Sequence, residues 1–156
     1  MKIRLLTIFA AIMAATNMGW ADTSTIYVNG SSGNDTDNPG TDVSPVKTIA
    51  KAITLVSDGG TIYVAAGEYT DDIIISKPLN LVGLGTDKPT KESTSNKDAY
   101  LTGKIQITKA GLTTIKNVKM VRTADDSNSA HGNRTALVEI PIGGIELTIS
   151  DCCFIN

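Results

Sequence analysis

Ile73-Ile74-Ile75-Ser76-Lys77, Ile105-Gln106-Ile107-Thr108-Lys109 and Val138-Glu139-Ile140 carry one short pattern three times, with starts 32 and 33 residues apart. A second series keeps the same register. Ile115-Lys116-Asn117-Val118-Lys119-Met120 lies over Ile149-Ser150-Asp151-Cys152-Cys153-Phe154 at an offset of 34, which sets apolar on apolar and Asn117 on Asp151. Self-similarity at a fixed period of roughly 20–50 residues is the mark of a stacked repeat. Each copy is then one coil, unable to bury its inward residues alone and supplied with a core by its neighbours.

The segments around this pattern agree with it. Short strands are expected at 61–65, 73–75, 79–82, 105–107, 112–115, 118–121, 137–140, 145–149 and 152–155, each ended by Gly, Asn, Asp, Lys-Pro or a similar turn signal. Aromatic residues make up only 4% of the chain, so the core must be built from Ile, Val, Leu and Ala. Two polar, turn-rich stretches, 86–98 and 125–133, read as excursions between wall strands. The fold class expected is all-β, a right-handed parallel β-helix or solenoid.

One segment has helical period. Thr48 is placed as N-cap, and Ile49, Ala52, Ile53 and Val56 follow at i, i+3, i+4 and i+7 until Asp58-Gly59-Gly60 stops the helix. An amphipathic helix laid across the first coil would cap a stack that otherwise exposes an apolar end and unpaired strand groups. No such cap follows Phe154-Ile155-Asn156, where the chain stops in mid-pattern. The expectation is therefore a truncated solenoid, the head of a longer protein, able to associate through its uncapped end.

Residues 1–21 read as a cleaved secretory signal: Lys2 and Arg4 lead an apolar run from Leu5 to Ala15, and Gly19-Trp20-Ala21 offers a small-x-small cleavage site. The run is broken by Thr16 and Asn17 and falls short of the about 20 residues that span a bilayer. Residues 22–156 are then the mature domain, secreted, periplasmic or at the cell surface. The signal holds two of the 14 basic residues and none of the 16 acidic ones, so the mature formal charge is 12 minus 16, or −4. That charge, with no basic cluster, argues against a nucleic-acid partner.

The opening of the mature chain resembles a known family. Ile26-Tyr27-Val28, Gly33-Asn34-Asp35, Asn38-Pro39-Gly40-Thr41, Ser44-Pro45, Lys47-Thr48-Ile49 and Ala52-Ile53 are similar to the start of many bacterial secreted parallel β-helix proteins of the pectin-lyase-like kind, including the domain of unknown function that heads them. Thr61-Ile62-Tyr63-Val64, Ala66-Gly67-Glu68-Tyr69, Lys77-Pro78-Leu79 and Leu81-Val82-Gly83-Leu84-Gly85 continue it, and the likeness is specific over 25–85. The resemblance implies an extracytoplasmic protein that meets polysaccharide. It implies no activity, because a fold hosts many functions. Enzymes of the lyase type in that superfamily hold calcium with clustered wall aspartates, and no wall strand here carries such a cluster.

Candidate chemistry is confined to loops. Asp35, Asp37 and Asp42, with Asn34 and Asn38 between them, form an oxygen-rich set suited to calcium, although the spacing is not that of an EF-hand. Solvated turn residues explain the same composition. Asp125, Asp126, His131 and Arg134 mix carboxylate, imidazole and guanidinium within one excursion, which reads as a solvated loop. Asp71-Asp72 reads as a turn and nothing more. The adjacent Cys152 and Cys153 should point to opposite faces of a strand, one into the wall and one outward, without a disulfide. The leading functional reading is a structural or polysaccharide-contacting protein with no complete active site. The rival readings are the head of a polysaccharide lyase or pectin esterase-like enzyme, and an adhesin.

Overall fold

The computed structural model describes residues 23–85, 88–92, 94–95, 97–121 and 138–155. The expected signal segment and Asp125, Asp126, His131 and Arg134 lie outside the described residues. The chain forms β1 (Thr25–Val28), a helix α1 (Ile49–Leu55), and then β2 (Thr61–Val64), β3 (Gly67–Tyr69) and β4 (Ile73–Ile75). Next come β5 (Asn80–Gly83), β6 (Ala99–Leu101), β7 (Ile105–Ile107), β8 (Gly111–Lys116), β9 (Val118–Val121), β10 (Val138–Glu139), β11 (Ile145–Ser150) and β12 (Cys153–Ile155). They make three parallel sheets, β1-β2-β5-β8-β11, β3-β6-β9-β12 and β4-β7-β10. From β2 on, every third strand returns to the same sheet one layer further, which is a parallel β-solenoid of about three turns.

The register is the one in the sequence repeat. Ile73 pairs with Ile105 and Ile105 with Val138, while Ile115 pairs with Ile149 and Met120 with Phe154. Alternate residues of each strand face inward and stack on their counterparts in the neighbouring turns. One column runs Ile26, Ile62, Leu81, Ile115 and Ile149; another runs Tyr69, Leu101, Met120 and Phe154. In the interior these side chains are buried, and in the last layer Ile149 and Phe154 are 37% and 51% exposed.

The helix forms where expected, with Thr48 as N-cap accepting the Lys51 N–H at 3.1 Å. Ile49, Ala52, Ile53 and Val56 are buried, and α1 packs on β1, β2 and β4. It does not cap the stack alone. The loop after β1 returns along the free edge of that strand: Tyr27 N–H donates to Gly40 O at 2.7 Å, Asn29 N–H to Val46 O at 2.9 Å, and Val46 N–H to Tyr27 O at 3.0 Å. Gly33 fits in this loop because a Cβ there would strike the Val46 carbonyl.

Two strands were not foreseen. β3 is Gly67-Glu68-Tyr69 and β6 is Ala99-Tyr100-Leu101, each three residues with two inward positions. Neither is long enough for alternation to stand out, and β6 directly follows the turn-rich excursion. That excursion folds over the outer face of the second sheet. Lys119 occupies an outward position there yet is 2% exposed, its Nζ donating to Lys91 O at 2.7 Å and lying 4.8 Å from the centre of the Tyr100 ring.

The two cysteines divide as a strand requires. Cys152 extends the inward column of Ala99 and Val118, and Cys153 lies outward in register with Lys119; both are free thiols. Burial raises the Cys152 thiol above its ordinary range, with the Asn117 and Val118 N–H groups acting against the shift.

Thr113 stands in the inward column between Leu79 and Leu147, fully buried, and its Oγ1 has no hydrogen-bond partner among the described residues. A buried hydroxyl left in this state costs about 1–3 kcal/mol, and valine has the same shape without it. Thr113→Val should raise the unfolding free energy by about 1–2 kcal/mol in urea melts; an unchanged or lowered value would show that the hydroxyl is satisfied.

Candidate functional site

The three loop carboxylates proposed for calcium have three separate duties. Asp35 Oδ1 accepts the backbone N–H of Lys47 at 2.7 Å and of Thr48 at 3.1 Å, and Oδ2 accepts the Thr48 hydroxyl at 2.7 Å. Asp37 Oδ2 accepts the Asn34 side-chain amide at 3.0 Å, and Asp42 Oδ1 accepts the next backbone N–H, that of Val43, at 2.9 Å. Among the described residues no three His, Cys, Asp or Glu side chains group so as to hold a metal ion. Asp35 fastens the loop to the start of α1. Partial burial acts to raise its carboxyl, but the hydrogen bonds from Thr48 and Lys47 and the charge of Lys51 outweigh that, and it sits below its ordinary value of 3.8.

Tyr69 is the second tie. Its hydroxyl donates to Ala65 O at 3.1 Å and accepts the Gly30 N–H at 3.2 Å, so β3 holds the first residues of the loop. Burial pushes the phenol up from 10.0, opposed by the Gly30 hydrogen bond. The two ties bound a cleft of about 120 Å³ between the loop, the start of α1 and the β3–β4 turn. Its buried lining is Ile49, Tyr69 and Ile73; Lys47, Glu68, Asp71 and Asp72 are exposed around it. Asp72 does more than turn the chain, since its Oδ1 accepts the Lys104 N–H of the next coil at 2.8 Å. Sequence reading passed over the cleft because its residues come from three segments some 20 positions apart, at Gly30, 47–50 and 68–73, brought together only by the cap.

A second surface is the outer face of the five-stranded sheet. Thr25, Thr61, Asn80, Thr114 and Thr148 stand in register along it, one per layer. Beside them run Tyr27, Tyr63, Val82, Lys116 and Ser150. The Tyr27 and Tyr63 rings pack at 5.3 Å between centres with 31° between planes, and both are half-buried. This repeating ladder follows from the parallel register, which sets like positions about 4.8 Å apart.

These features define a parallel β-solenoid sealed at one end by a loop and a short helix. The chain belongs to the family described as Protein of unknown function (DUF1565), whose model matches residues 31–147, from the sealing loop into β11. Neither a curated protein nor a solved structure matches it. No helix among the described residues is long and apolar enough to cross a membrane.

The Asp35 tie has a pH signature. A carboxyl whose folded pKa is depressed adds stability that is fully present above its unfolded value, and that stability is lost as pH falls through the folded value. Melting temperatures measured from pH 7 down should therefore show an acid loss starting near 3.8 that is smaller in Asp35→Asn. At pH 7 the variant should be less stable by about 1 kcal/mol, the scale of a lost capping contact. In the same series, calcium or a chelator should leave the melting temperature unmoved, and a rise with calcium would favour Asp35, Asp37 and Asp42 as ligands.

Proposed function

We propose that this chain is a binding module of a secreted or cell-surface β-helix protein, without a complete active site of its own, and that it contacts polysaccharide along the outer face of its five-stranded sheet. The observation that carries the reading is the in-register ladder of Thr25, Thr61, Asn80, Thr114 and Thr148 beside Tyr27 and Tyr63. Hydroxyl and amide groups both donate and accept, as sugar hydroxyls do. A repeating row of them suits a repeating ligand, because each added unit meets a similar set of partners. The aromatic pair supplies apolar area with a polar tip at one end of the row. A signal-like segment at 1–21 and the resemblance to pectin-lyase-like proteins support an extracytoplasmic setting for such contacts.

The test is retention of the full chain on immobilised cellulose, chitin and pectin. Retention on at least one is expected, with Tyr63→Ala weakening it by about tenfold, the equivalent of one well-placed contact near 1.4 kcal/mol. Ile74→Ala, on the outer face of another sheet, should leave retention as it was. Binding to none of the three, or equal binding by Tyr63→Ala, would remove the reading.

A further inference from the structure

The cleft beside the cap lies outside the polysaccharide face proposed above, and its chemistry is different. Its floor is apolar, made by Ile49, Tyr69 and Ile73, and the groups around it are charged. The side chains of Lys47, Glu68 and Asp71 form no hydrogen bond or ion pair among the described residues, although charges of both signs border one opening. Asp72 uses one oxygen on Lys104 and keeps the other. Groups left unpaired around a concave apolar floor are the ordinary anatomy of a small-ligand site.

We propose that this cleft is a subsite for a single pyranose ring, neutral or bearing a free amine, and that it rejects uronate rings. The inference rests on the reading that the chain meets polysaccharide, and adds which sugar class it takes at this point. The cleft is open to one side, so a ring enters by one face and stays partly outside: its volume is about 120 Å³, less than the roughly 150 Å³ that encloses benzene. The apolar floor can meet the C–H face of a sugar. Around it, carboxylates accept from hydroxyls or an ammonium and Lys47 donates. Three carboxylates against one ammonium leave a local charge of −2, counted as 1 minus 3 over Lys47, Glu68, Asp71 and Asp72. An added carboxylate on the ligand would meet like charge, whereas an amine would be drawn in.

Titration calorimetry of the full chain at low salt with a glucosamine tetramer, cellotetraose and tetragalacturonate tests this. The glucosamine tetramer should bind tightest and tetragalacturonate weakest. The double variant Glu68→Gln, Asp71→Asn should weaken the glucosamine tetramer by about tenfold, as expected for lost charge-assisted hydrogen bonds. Both residues are exposed, so the melting temperature should hold; Ala50→Phe, which fills the cleft from its exposed side, gives a second and independent block. Ile74→Ala, outside both the cleft lining and the polysaccharide face, should not change tetramer binding. No binding of either the glucosamine tetramer or cellotetraose, equal affinity in both cleft variants, or preference for tetragalacturonate would overturn the proposal. Tetramer binding that depends on the cleft while Tyr63→Ala leaves polysaccharide retention intact would remove the sheet face and keep the cleft; the reverse pattern would remove the cleft alone.

Discussion

Stacking of inward side chains from one turn onto the next is the interaction on which everything else in this molecule depends. No single coil encloses enough apolar surface to be stable, so each inward residue needs a counterpart about 4.8 Å above or below it. The constraint is strict along the column of Ile26, Ile62, Leu81 and Ile115, all buried. It also accounts for the first turn. A stack has a bottom, and there both the apolar column and the backbone edge of β1 must be closed by something other than a coil. Here α1 supplies the apolar half with Ile49, Ala52, Ile53 and Val56, and the loop supplies the hydrogen bonds through Gly40 and Val46.

The corner between the first and second sheets shows how a coil's outline is set by single residues. Asn117 and Asp151 turn this corner with φ of 55° and 52°, a conformation that Asn and Asp tolerate better than most residues. Asn117 also donates from its side-chain amide to Gly83 O at 2.9 Å in the layer below. Gly83 must lack a side chain, since a Cβ would collide with the Asn117 carbonyl. In that layer the chain leaves the corner and makes its excursion to Asp98 before rejoining the second sheet at Ala99. Asn117 Oδ1 accepts the Lys88 N–H at 3.1 Å and Asp151, one layer further on, pairs with the Lys88 ammonium at 3.2 Å, so the excursion is tied to both later layers.

What could be read from the residues follows the same division. Strands with two strong inward aliphatics, such as Ile73 with Ile75 and Ile105 with Ile107, were legible with their pairing, because the repeat spacing is the register. The helix was legible from Thr48 and the spacing of its four apolar residues. β3 was not, since a glycine, a glutamate and a tyrosine hold no β pattern and become a strand only by lying against Ala99, Tyr100 and Leu101. The role of Asp35 was half legible. Its oxygen-rich neighbourhood drew attention, but its partners Lys47 and Thr48 are 12 and 13 residues away, and nothing local marks them.

Position along the stack decides which residues are left to meet a ligand. Inward columns are consumed by packing, and the outer face of the second sheet is covered where Lys119 lies beneath the excursion. That leaves the outer faces of the first and third sheets and the turns. A turn stacked on a similar turn gives a smooth surface: Thr102 to Lys104 lie on Thr70 to Asp72, bonded through Asp72 and Tyr69. A concavity needs a mismatch, and the mismatch is where a coil meets the cap. On the far side of Thr70 to Asp72, among the described residues, lie the sealing loop and the start of α1, whose different path opens a cleft between them. The device that makes the first coil stable is thus also the one that breaks the regularity of the surface, which is why the proposed subsite adjoins the cap.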